Sequence, residues 1–129
     1  MTEAGAQFEA QIDAAIAAHE HWKRRLLVAI ESGHSDVHLR TVGRDDTCEL
    51  GRWLRGDASE LPGHAEKLSH VRELHAEFHR AAESVMKQAV AFEREAAEAA
   101  IRPGGDYELR SEALLEALRE WRNAVHLGP

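Results

Sequence analysis

Cysteine, proline and aromatic residues are all scarce here: one Cys, three Pro, and Phe, Trp and Tyr together at 5% of 129 residues. A single thiol cannot close an internal disulfide, so a reducing, cytoplasmic location is the natural expectation. No apolar run approaches the roughly 18–20 residues that would span a bilayer. The first residues, Met1 to Gln7, carry neither the basic stretch nor the apolar stretch of a secretion signal. Positive charge is outweighed, with 16 Lys and Arg against 23 Asp and Glu for a net charge of −7. That balance disfavours nucleic acid and anionic membrane surfaces as general partners. Strand signals are missing too.

What the chain does have is histidine, nine in all, and apolar residues at helical spacing. The length suits one domain spanning residues 1–129, with a real core. From Phe8 to Ser32 the stripe Phe8, Ile12, Ala15, Ile16, His19, Trp22, Leu26, Ala29, Ile30 predicts a long helix that ends at Ser32-Gly33. His19 lies on that stripe, whereas His21 should face solvent. Residues 33–43 read as a loop punctuated by Gly33, Asp36 and Gly43. Asp45 reads as an N-cap, or else as an acceptor supporting a ligand histidine, with Cys48 in the first turn of a short helix through Leu50, Trp53 and Leu54 that stops at Gly56. A connector from Gly56 to Gly63 leads to a long helix over His64–Ile101. Its inner stripe is Leu68, Val71, Leu74, His75, Phe78, His79, Ala82, Val85, Met86, Ala89 and Phe92. Arg102-Pro-Gly-Gly-Asp breaks it, and a last helix over Tyr107–Val125 turns Tyr107, Leu114, Leu115, Leu118, Trp121 and Val125 inward. The predicted fold is all-α: a four-helix bundle of three long helices and one short helix carrying the cysteine.

His75 and His79 stand four residues apart, one above the other on a helix face, where two neutral imidazoles can reach one metal ion. Glu77 falls two residues after the first histidine, not one, so the His-Glu-x-x-His protease pattern is absent. The pair alone reads equally well as two ordinary histidines. His19 and Cys48, however, also lie on the inner faces of their helices. Three imidazoles and one thiolate make a complete tetrahedral set for Zn²⁺. Iron would more often recruit carboxylates, and no inward Glu-x-x-His pair is present. A thiol in a first helical turn feels the positive end of the helix, and oxidation to sulfenic acid would weaken its hold on a metal. Taken alone, Cys48 also reads as a buried, inert thiol. Trp22 and Trp53 are expected to pack around the site, and Gly51 to allow close helix approach. His34, His38, His64, His21 and His70 are expected in solvent, His126 in the C-terminal tail, and Glu93–Glu98 on a solvated face.

The stretches His19-Glu-His-Trp22-Lys23, Asp45-Asp-Thr-Cys48-Glu-Leu50-Gly51-Arg-Trp53-Leu54 and His75-Ala-Glu-Phe-His79 resemble the chemoreceptor zinc-binding (CZB) domain family over roughly residues 8–125. The resemblance implies a helical bundle with a three-His, one-Cys zinc site, formed here by His19, Cys48, His75 and His79. It also implies a regulatory protein, not an enzyme, that senses zinc or an oxidant such as hypochlorous acid through the zinc-bound cysteine. A stand-alone member would act on a chemoreceptor or diguanylate cyclase in trans, and the long apolar stripes suit a homodimer. Two alternatives remain at this stage: a metal-dependent enzyme with an open three-His site, and a purely structural zinc site.

Overall fold

The computed structural model describes residues 3–35, 39–45, 48–56, 58 and 63–127. The expectations placed on Asp36, His38, most of the Gly56–Gly63 connector and the side chain of His126 lie outside the described residues.

Helix α1 (Glu3–Ser32) forms where apolar side chains return every three or four residues, and Phe8, Ile12, Ala15, His19, Leu26, Ala29 and Ile30 are all buried. Gly33 ends it with φ +76°, its N–H donating to the Ala29 carbonyl at 2.8 Å, which is a left-handed helix cap. A side chain at Gly33 would be strained by that φ, and its Cβ would lie 2.5 Å from Cε1 of the exposed Phe92 ring, which would have to shift.

The expected 33–43 loop contains a short helix, α2 (Leu39–Gly43), which packs on α4 (Ala65–Val90) with Val42 fully buried. Helix α3 (Glu49–Arg55) corrects the expected cap: Cys48, not Asp45, is the N-cap residue, and its sulfur accepts from the Gly51 N–H. Gly51 itself is buried.

The long helix expected over His64–Ile101 is two helices, α4 and α5 (Arg94–Ile101). Phe92 takes φ 62°. Its N–H donates to the Ala89 carbonyl at 3.2 Å and the next N–H, of Glu93, to the Gln88 carbonyl at 2.8 Å. Those two bonds are the Schellman pattern, with phenylalanine where glycine is usual. The helical period of the sequence runs straight through this break, which is why Phe92, assigned to the inner stripe, is instead 76% exposed.

Helix α6 (Asp106–Leu127) packs on α1 and α4, α5 leans on all three, and α3 bridges α1 and α4. Among the described residues the fold is therefore the expected all-helical bundle, with three long helices, a short one headed by the cysteine, and two further short helices, α2 and α5. None of the described helices is long and apolar enough to cross a membrane. The core runs from Ile12 and Leu26 through Phe78 and Met86 to Leu114 and Leu118, all fully buried. At one end Phe8, Trp53, His64 and Trp121 form an aromatic cluster with ring centroids 5.1–5.8 Å apart. His64 was expected in solvent, but its ring accepts a hydrogen bond from Trp121 Nε1 at 2.7 Å. Its position just ahead of a helix gave no sign of the aromatic neighbours that fold back onto it.

A left-handed conformation costs an L-residue roughly 1–2 kcal/mol, and the exposed Phe92 ring gains little in return. Phe92→Gly is expected to raise the unfolding free energy by about 1 kcal/mol in urea denaturation. A less stable variant would mean that the ring's packing on Gly33 outweighs the backbone strain.

Candidate metal centre

Three elements converge midway along the bundle. His19 projects from the middle of α1, and His75 and His79 from successive turns of α4. Cys48 enters from the start of α3. The three histidines are 1–2% exposed, while Cys48 is only partly buried. One donor atom from each of the four lies within 4.8 Å of every other. His75 Nε2 and His79 Nε2 are 3.0 Å apart, and Cys48 Sγ is 3.2 Å from the first and 3.7 Å from the second.

Backbone carbonyls set the direction of two of these rings. His19 Nδ1 donates to the Ala15 carbonyl at 2.7 Å, and His79 Nδ1 donates to the Val42 carbonyl at 2.8 Å. A carbonyl only accepts, so each Nδ1 carries the proton, and in a neutral ring the inward Nε2 is then a bare lone pair. The rings are neutral. Burial, opposed by the bond to Ala15, lowers His19 to about 4. Burial and the neighbouring histidines lower His75 to about 2. Burial likewise lowers His79, against the pull of the Val42 carbonyl and of Asp45.

Lone pairs aimed at one another in a dry interior repel unless something positive lies between them. His19 Nε2 is buried and has no hydrogen-bond partner, an exception that an ion explains. Zinc bonds of about 2.0–2.1 Å to nitrogen and 2.3 Å to sulfur place tetrahedral donors roughly 3.3–3.6 Å apart. The observed spacings of 3.0, 3.2 and 3.7 Å bracket that range. The residues present therefore fit a zinc ion, and the one-sulfur, three-nitrogen donor set suits it better than magnesium or calcium.

Cys48 departs from the sequence argument in one respect. Burial pushes its thiol above the ordinary value, outweighing the Gly51 and Leu50 N–H groups at the start of α3. The helix start alone does not make a thiolate here. A bound cation would.

The surroundings correct several expectations. Asp45 is bound to Arg55 at 3.2 Å and supports no ligand histidine through a hydrogen bond among the described contacts. That role falls to the carbonyls of Ala15 and Val42, which no residue type announces. Trp22 does pack beside the site, its ring 6.3 Å from His79 with Arg25 stacked over it at 4.5 Å. Trp53 belongs to the aromatic cluster at the bundle end. Phe78 fills the space between His19 and His79 at 4.9 and 5.4 Å. His21, His34 and His70 are exposed, as expected.

A family profile described as "Chemoreceptor zinc-binding domain" matches residues 19–86, a stretch that contains all four clustered residues. No curated protein and no solved structure matches the chain.

The neutral, buried histidines have a consequence for the metal-free protein. Unfolded, they take up protons below about pH 6.5; folded, they resist, so the unfolded state binds more protons there. Their stability contribution is present above about pH 6.5 and is lost as pH falls toward the folded value of about 4 for His19. The expected slope is up to about 1.4 kcal/mol per pH unit for each histidine. Thermal melts of chelator-treated protein between pH 7.5 and 5 check this. A flat profile would show that the rings protonate without unfolding.

Proposed function

We propose a function from one premise: the chain belongs to the chemoreceptor zinc-binding domain family, whose members are zinc-binding regulatory domains. His19, Cys48, His75 and His79 hold one zinc ion, and the protein is a sensor, not an enzyme. The zinc-bound cysteine responds to zinc level or to an oxidant such as hypochlorous acid. The signal passes to a chemoreceptor or diguanylate cyclase in trans, from a cytoplasmic homodimer.

One observation carries the sensing reading. The three histidines are only 1–2% exposed, while Cys48 is the partly exposed member, held by a helix of only seven residues. A narrow cleft lined by Ala14, Ala18, Trp22 and Leu50 reaches the sulfur and His19 from outside. It has room for a small neutral oxidant. In the step itself the Cys48 thiolate would attack the chlorine of hypochlorous acid: a sulfur–chlorine bond forms as the oxygen–chlorine bond breaks and hydroxide leaves, and water then displaces chloride to give the sulfenic acid. Sulfur is oxidised by two electrons and chlorine is reduced by two. The sulfenic acid is a poorer ligand than the thiolate, so the centre loosens. A zinc ion supplies the positive charge that keeps the thiol ionised. The enzymatic alternative needs an open fourth position, and Cys48 lies against both α4 histidines where that opening would be.

Elemental analysis is expected to give about one zinc per chain. His75→Ala or His79→Ala should weaken zinc binding more than about 100-fold, beyond the roughly 10–100-fold that follows loss of a mere supporting group. His21→Ala, on the outer face of α1, should leave it unchanged. Two metals per chain, or a loss on His21→Ala without one on His19→Ala, would overturn the ligand set.

The role of the cysteine is read separately, as zinc release into a chromogenic chelator after hypochlorous acid. Wild type should release zinc, with a change in Trp22 fluorescence. Cys48→Ala should bind zinc more weakly through the three histidines. Cys48→Asp should keep much of the zinc and lose the response to oxidant. If Cys48→Asp releases zinc as fast as wild type, the cysteine is not the sensor and a structural zinc site is the better reading.

A further inference from the structure

A second opening, distinct from the narrow cleft at Cys48, lies on the α3–α4 side of the centre. It is a cleft of about 350 Å³ walled by Asp45, Gly51, Leu54, Arg55 and Arg72, with His75 lining it. At roughly 30 Å³ per water, that volume holds a compact polyatomic ion and several waters.

Each of its two guanidiniums has one described anchor at the cleft wall, and the Arg55 side chain is 59% exposed. Arg72, from the second turn of α4, donates from Nη2 to the Leu54 carbonyl near the end of α3. Arg55, the last residue of α3, is tied through Nη2 to Asp45 Oδ1 at 3.2 Å. Each guanidinium has five N–H donors, and these contacts engage one nitrogen of each. The charges add up in one direction. Arg55 and Asp45 cancel, Arg72 is positive, and a zinc ion with three neutral imidazoles and one thiolate carries a net positive charge. With a zinc ion in place, the described groups around the cavity would sum to a net positive charge, on a chain of net charge −7.

We propose that this cleft is a binding site for a compact oxyanion, held by Arg55 and Arg72 next to His75. The planar guanidinium fork matches the oxygen edge of such an ion. The inference rests in part on the zinc reading, which supplies one of the charges; the two arginines supply the recognition. An oxyanion in the cleft would lie between the centre and solvent on this side, while small neutral molecules reach the sulfur from the other.

The probes are inorganic phosphate and bicarbonate, one tetrahedral and one planar, titrated calorimetrically into the full zinc-loaded chain in a low-chloride buffer. Saturable binding of at least one of them at about one per chain is expected, and which of the two binds tells the shape the cleft accepts. Arg55→Ala and Arg72→Ala should each weaken it by about tenfold or more, the loss of a charge-assisted contact. Arg72→Lys, which keeps the charge without the fork, should weaken it less than Arg72→Ala. Should Arg72→Ala fail to fold, Arg72→Gln keeps a donor for the Leu54 carbonyl and takes its place. No saturable binding of either anion to wild type, or unchanged affinity when both arginines are replaced, overturns the proposal. Zinc content measured on the same samples separates the two readings. One zinc per chain without anion binding rejects the cleft alone. Absent zinc rejects the function, and the arginine variants then test the cleft on the metal-free chain.

Discussion

Buried imidazole nitrogens brought together from two helices are the constraint on which this bundle turns: among the described contacts His19 Nε2 has no hydrogen-bond partner, and the Nε2 atoms of His75 and His79 lie 3.0 Å apart. Nothing apolar can satisfy them, and Phe78 packs against the rings of His19 and His79. Burying polar nitrogens without partners costs free energy, so the arrangement is tolerable to the degree that a cation completes it. The rest of the structure serves the aim of those rings. A single helix supplies two of them by its own periodicity. A second helix supplies the third at mid-length, where neither end can fray. Two main-chain carbonyls fix which nitrogen looks inward.

Most of this was legible because it follows from periodicity. The stripes that put His19 beside Ala15 and Trp22, and His75 and His79 beside Phe78, are helical patterns with polar residues at core positions. A polar residue on an apolar stripe is a signal in itself. The three long helices emerged for the same reason. What escaped depends on backbone conformation, which residue type reports weakly. Phe92 continues the stripe chemically while its φ of 62° ends the helix. Val42 looks like one apolar residue in a loop, yet its carbonyl orients His79. Asp45 has the composition of a cap, but the sulfur of Cys48 takes that place, since a thiol that must reach α4 has to leave the helix axis at its first residue.

The cysteine's acidity shows two principles in competition. The start of a helix favours a thiolate, and burial opposes it. Here burial is the larger effect. Had the helix start won, Cys48 would be a reactive thiolate with or without metal. A bound cation would supply the positive charge that burial denies the thiolate, so in this environment ionisation of the sulfur would follow metal occupancy.

Helix α3 is attached at both of its ends to different things: Cys48 to the donor cluster, and Trp53 to the Phe8–His64–Trp121 aromatics at the end of the bundle. Val42, whose carbonyl orients His79 as that of Ala15 orients His19, belongs to a helix of five residues. Helices α2 and α3, which close over the donors alongside α1 and α4, are both short, and short helices open far more readily than the long ones around them. Local opening of α2 and α3 alone, with α1, α4 and α6 still assembled, would bare the donors, so an ion bound there would exchange on the timescale of that fluctuation and not of global unfolding.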